Sequence, residues 1–173
     1  MLRRLLERLR DRTRLGRPTV RPAPGARARP GAGVPPPAAP GQASDYDGPV
    51  EVCYAPHPDQ DPDPGEVVWT WVPYEEDATV GKDRPVVVIG RTGRRRPRGE
   101  LAIVMLSSQD HRGDARWLVL GSGAWDVEDR VSSVRLDRVL AVDPGAVRRE
   151  GATLERSRFD ELTAALRARH SWA

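Results

Sequence analysis

From Gly65 onward, apolar residues come in short runs separated by turn-forming residues. Gly65–Pro73 (GEVVWTWVP), Arg84–Arg91 (RPVVVIGR), Gly99–Ser108 (GELAIVMLSS) and Arg116–Ser122 (RWLVLGS) each have the length and β-branched content of a strand. Val67, Trp69 and Trp71 do not alternate cleanly with polar neighbours, so both faces of that strand are expected to be covered. Pro85 stands near the start of its run, where a missing N–H is tolerated. Val131–Asp143 predicts one or two further strands, broken or bent in the middle. Val50–Tyr54 predicts an early short strand and Ala152–Glu155 a last one. The period then changes. Phe159, Leu162 and Leu166 form one helical face through about His170, and Ser157 followed by Asp160 has capping-box spacing. Short strands closed by one helix predict a mainly β fold, a small barrel with a C-terminal helix packed on it. About 110 residues suffice for one such core.

The front of the chain reads differently. Leu2, Leu5, Leu6 and Leu9 recur at helical spacing with arginines between them, which predicts a basic amphipathic helix over residues 1–15. It is read as a weak contact for an anionic membrane surface or for nucleic acid, against the plainer alternative of a frayed, solvated helix. Residues 16–48 are dominated by Arg, Ala, Pro and Gly and are expected to be disordered, because they cannot bury enough surface to offset the cost of ordering. The folded domain is expected over residues 49–173.

Composition sharpens that division. Thirteen of the seventeen prolines lie between Pro18 and Pro64. Residues 1–42 carry ten Arg against Glu7 and Asp11, whereas residues 43–63 carry six acids and no Lys or Arg. The net charge of +3 therefore comes mostly from the front, and nucleic-acid contact by the domain requires a local basic patch. No apolar run approaches the roughly 20 residues of a membrane-spanning helix. The single cysteine, Cys53, cannot form an internal disulfide. His57, His111 and His170 lie too far apart for recognisable zinc spacing, and no phosphate-binding glycine motif occurs, so neither metal nor cofactor is expected.

In their order, GEVVW, GKDRPVVVIG after an acidic loop, a strand ending LSSQ, VRLDRVLAVD and a C-terminal helix resemble the PemK/MazF family of toxins from type II toxin–antitoxin pairs. The resemblance covers Pro64 to about Ala168. It implies an SH3-like barrel, usually a homodimer, that cuts single-stranded RNA in the cytoplasm without a metal and is blocked by a cognate antitoxin protein. The implied reaction is attack of a ribose 2′-OH on the adjacent phosphate, leaving 2′,3′-cyclic phosphate and 5′-OH ends. One branch of the family has a histidine in the loop before Arg84. Here that loop reads YEEDATVGKD, and Glu75, Glu76 and Asp77 would repel RNA unless neutralised.

Such a reaction needs a base for the 2′-OH, a proton for the leaving 5′-oxygen and positive charge or donors around the phosphorane. Arg135 and Asp137, two apart in an expected strand, would share a face. Asp137 is the candidate base. Arg135 is the candidate transition-state clamp, because an arginine, with a pKa above roughly 12, makes a poor acid. By the resemblance, Arg84 holds the scissile phosphate and Ser107 donates to it. His111, four residues past Ser107, is a candidate for the missing acid, since the ordinary imidazole value of about 6.5 suits proton transfer. Gln109 and His111 are candidate RNA contacts, and so is the dense patch of Arg91, Arg94, Arg95, Arg96 and Arg98. Trp117 is read as a core residue, while Trp125 is left open between core packing and base stacking. The alternative function is a non-catalytic binding protein on the same barrel, either a gyrase poison or a domesticated interaction module.

Overall fold

The longest apolar runs pair with one another and make the centre of the sheet. In the computed structural model, which describes residues 42–59, 61–93 and 99–172, the strands are β1 (Ser44–Asp45), β2 (Val50–Val52), β3 (Glu66–Pro73), β4 (Gly81–Thr92), β5 (Leu101–Ser107), β6 (Trp117–Gly121), β7 (Ser132–Arg135), β8 (Leu140–Val142) and β9 (Arg148–Thr153). One helix, α1 (Arg156–His170), follows. The expected helix over residues 1–15 and nearly all of the expected linker lie outside the described residues. Residues 44–46, which composition places in that linker, belong to the folded part. Ser44 and Asp45 pair with Ala141 and Leu140, and Tyr46 is buried.

All strand pairs are antiparallel, in the order β1-β8-β5-β4-β3-β9, with β2 added to β4 and the β6–β7 hairpin joined to β5 through β7. The first half of β5 pairs with β8 and its end pairs with β7, so β5 carries the sheet round a corner. The fold is mainly β with one C-terminal helix, as expected, but the ladder does not close into a barrel. Among the described residues β9 bonds only to β3 and β1 only to β8, which leaves the ends of the path unjoined.

Both faces of the central strands are buried, which explains why the sequence alternates poorly there. Val67, Val87, Ile89, Ala102, Val104 and Leu106 face one apolar layer, which α1 completes with Phe159, Leu162 and Leu166. Val68, Val72, Val86, Val88, Leu101, Ile103 and Met105 face a second layer, closed by Leu140 and Val142 of β8. Gly90 permits this layering. β4 shifts register between Val88 and Gly90, and a Cβ at Gly90 would stand 2.2 Å from the Glu51 carbonyl of the overlying β2.

The helix begins one residue before the expected Ser157 cap. Its N-cap is Glu155, without a side-chain cap bond, and Ser157 lies inside it. Asp160 is taken up instead by the Arg156 guanidinium, 2.9 Å away at i,i+4. Trp125 settles into the core, 6% exposed, with its indole N–H donating to Ser132 Oγ at 3.1 Å.

Candidate functional site

The Arg-Pro step in β4 shapes the site. The β4–β5 ladder begins at Val86↔Met105, one residue after Pro85, whose ring nitrogen has no hydrogen to give. Carrying the same register two residues further sets Arg84 opposite Ser107, the last residue of β5. Ser107 pairs in turn with Ser133 of β7, and Arg135 pairs with Trp117 of β6. Directly paired residues and residues two apart share a face. Arg84, Ser107, Arg135 and Trp117 therefore stand on the face of the second apolar layer, where that layer ends at Met105 and Trp117.

Arg84 is half-buried; its backbone lies in the ladder opposite Thr70 of β3, and its guanidinium has no hydrogen bond or ion pair among the described residues. The adjacent Asp83 points the other way and is engaged by Arg148 of β9. A half-buried guanidinium left free at the end of an apolar face is a ready anion site.

Ser107 is buried, and its Oγ accepts the Gln109 backbone N–H at 3.2 Å. The Gln109 side chain is exposed. His111 Nε2 lies 3.0 Å from the same Oγ, and the imidazole stacks on the Trp117 ring at 3.6 Å between centroids and 3° between planes. Trp117 is thus half-exposed at the site rather than sealed in the core, as its apolar strand suggested.

The loop that presents His111 is braced on both sides. Asp110 accepts from the Arg112 backbone and guanidinium, and Asp114 does the same with Arg116. These bonds, the guanidinium first, hold each carboxyl at about 2, against an ordinary value of 3.8. Folded-state values below the unfolded ones mean that this bracing is complete above the ordinary range and is lost only as pH falls through about 2. Carbon-detected NMR titration of the carboxyls is expected to give midpoints near 2 for both. Arg112→Ala is expected to return Asp110 alone towards 3.8, and a common midpoint near 3.8 in the wild type would refute the bracing.

Arg135 and Asp137 do meet, though not as neighbours along a strand. β7 ends at Arg135, and the chain bends through Leu136 and Asp137 before β8. At that bend Arg135 Nε donates to Asp137 Oδ1 at 2.8 Å and Nη2 to Oδ2 at 3.1 Å. Nη2 also donates to Glu75 Oε2 at 2.9 Å, so one of the acids expected to repel RNA is neutralised within the site. Glu76 and Asp77 remain exposed. The bonds from Arg135 lower the Asp137 pKa, while those to Asp137 and then Glu75 raise that of Arg135. Across the neutral range the pair is an anion and a cation. The end of α1 props this bend. His170 Nε2 lies 2.7 Å from the Leu136 carbonyl, and Arg169 donates to the Ala115 carbonyl at 3.3 Å. Beyond Asp137 opens a cavity of about 450 Å³ lined by Asp45, Tyr46, Glu75, Arg138, His170 and Trp172, among others.

Of the expected basic patch only Arg91 lies among the described residues, and it does not join this cluster. Arg91 stands at the far end of β4, separated from Arg84 by seven residues, up to about 23 Å of strand. Arg94, Arg95, Arg96 and Arg98 lie outside the described residues. Sequence reasoning missed Glu75 as a partner of Arg135 and Trp117 as a platform for His111. Each pairing depends on tertiary contact, and no local pattern marks it. Among the described residues no group of three or more His, Cys, Asp or Glu is placed to hold a metal. No helix among them is long and apolar enough to cross a membrane.

No curated protein matches the chain. The family model of the PemK-like, MazF-like toxin of type II toxin–antitoxin systems matches residues 63–169, the stretch from just before β3 to the last turn of α1. With well over half of its length matched, the chain belongs to the PemK-like, MazF-like toxin family of type II toxin–antitoxin systems.

Proposed function

We propose that this protein is an endoribonuclease toxin that cleaves single-stranded RNA in the cytoplasm by 2′-OH attack and is held in check by a cognate antitoxin. It is proposed to act as a homodimer. The observation that carries this function is that the Arg84 guanidinium, without a partner among the described residues, and the Ser107 hydroxyl lie on the same sheet face as Arg135 of the Arg135–Asp137 pair. Arg84 takes the scissile phosphate as a bidentate anion. Ser107 donates its O–H to a non-bridging oxygen. Arg135, kept charged by its carboxylate neighbours, stabilises the phosphorane. Asp137 accepts the 2′-OH proton. Both of its oxygens already receive bonds from Arg135, but each keeps a lone pair for a further donor. The nucleophile belongs to the RNA, so Ser107 forms no covalent bond.

The test uses the full chain, wild type and the Arg84→Ala/Asp137→Ala double variant, incubated with a long single-stranded RNA in EDTA. Wild-type cleavage leaving 2′,3′-cyclic phosphate and 5′-OH ends, absent from the variant, is the expected result. Intact RNA with folded wild-type protein would overturn the ribonuclease assignment in favour of a non-catalytic binding protein on the same fold.

A further inference from the structure

We infer that His111 is the general acid of the reaction, giving its Nε2 proton to the departing 5′-oxygen from a seat formed by Ser107 and Trp117. The inference rests on the ribonuclease function proposed above. That chemistry needs a proton donor, and the Arg135–Asp137 pair cannot supply one. Arg135 is held as a cation by two carboxylates, and Asp137 is held as an anion. Neither carries a proton that it releases near neutrality.

His111 fits the vacant role by position. Its Nε2 lies 3.0 Å from Ser107 Oγ, the hydroxyl placed against the phosphate. Both nitrogens of an imidazolium donate. Ser107 Oγ then accepts from His111 Nε2 and from the Gln109 N–H, which fills its lone pairs and leaves its own O–H to point outward at the phosphate. The same contact that orients Ser107 thus delivers the acid to the reacting group. The Trp117 face, parallel to the imidazole at 3.6 Å, holds the ring plane.

Charged groups face His111 from its own loop and from the sheet. Asp110 and Asp114 on its own loop lie close enough for the imidazolium to lower their pKa values. Arg112 and Arg116 cap those carboxylates, so neither aspartate needs the imidazole as its partner. From the sheet, Ser107 of β5 and Trp117 of β6 touch the ring. Arg135 stands opposite Trp117, with its charge directed to Asp137 and Glu75, and Arg84 shares the sheet face of Ser107, two residues beyond the Val86↔Met105 pair.

The step balances. The 2′-oxygen forms a bond to phosphorus as its proton passes to Asp137. The bond from phosphorus to the 5′-oxygen breaks, and that oxygen takes the Nε2 proton of His111, which leaves its hydrogen bond to Ser107 Oγ as it is transferred. Protonated Asp137 and neutral His111 exchange with solvent before the next turnover.

A bridging 5′-sulfur provides the test, because a thiolate leaves without protonation. Full-length wild type and His111→Gln are assayed on an oligoribonucleotide with one ordinary linkage and on its 5′-phosphorothiolate counterpart, with kcat/KM followed against pH. On the ordinary substrate His111→Gln is expected to be about 10²–10⁴-fold slower and to lack the alkaline fall of the wild-type profile. On the sulfur substrate the two proteins are expected to be within a few fold of each other, which also demonstrates that the variant is folded. An equal deficit on both substrates, or an unchanged rate and profile on the ordinary one, would overturn the role of His111 alone. Wild-type protein that cuts neither substrate would overturn the ribonuclease function itself, and this inference with it.

Discussion

Arg84→Ala is expected to reduce RNA cleavage by roughly 10²–10³-fold, the usual effect of deleting one preorganised donor to transition-state charge, with little change in the melting temperature. The unusual part is the second half. Removing a half-buried arginine ordinarily leaves a carboxylate or carbonyl unpaired. Here no described group bonds to the Arg84 guanidinium, and its neighbour Asp83 has its own partner in Arg148. The side chain stands where Pro85 precedes the start of the β4–β5 ladder, the position from which it is proposed to take the phosphate. Arg84→Lys keeps the charge but not the planar fork, so its activity is expected to fall between the two. Kinetics on single-stranded RNA and thermal melts of the three proteins are the measurements. A melting temperature that falls in step with activity would mean that Arg84 is a structural residue.

The largest expected loss of stability comes from Phe159→Ala. Phe159 is 2% exposed, sits edge-on to Tyr54 at 5.1 Å, and joins Leu162 and Leu166 in the layer between α1 and the sheet. Truncating a buried phenylalanine costs about 3–5 kcal/mol, a large part of the roughly 5–15 kcal/mol that holds a domain folded. The helix it anchors also supports the site, since His170 contacts the Leu136 carbonyl between Arg135 and Asp137. Activity is therefore expected to fall at temperatures where much of the protein is still folded. Urea unfolding gives the stability change, and a loss below about 1 kcal/mol would show that α1 is not docked through this side chain.

Much of the architecture was legible along the chain. β3, β4 and β5 appear as apolar runs bounded by Gly and Pro, and α1 as the spacing of Phe159, Leu162 and Leu166. The break expected within Val131–Asp143 falls between β7 and β8. The bounds were less legible. The pairing of Ser44–Asp45 with β8 and the start of α1 at Arg156 rest on contacts with distant or competing groups. Arg138 is a similar case. It is 6% exposed, and its charge is met by Asp45, 93 residues earlier in the chain, and by the Pro73 carbonyl.

The site divides in the same way. The sequence alone marks the residues of the proposed chemistry, Arg84, Ser107, Arg135 and Asp137, because strand spacing and the resemblance to a toxin family bring them to notice. It also determines a mainly β domain behind an arginine- and proline-rich front. Only the tertiary structure decides that the Arg84 guanidinium is free while Asp83 is not, that Glu75 is paired with Arg135, and that Trp117, at the edge of the second apolar layer, seats His111 against Ser107. The physical reason is that local periodicity reports which face a side chain takes. A charge's partner and a ring's platform depend on register and sheet curvature, which bring together residues up to 60 positions apart in this site.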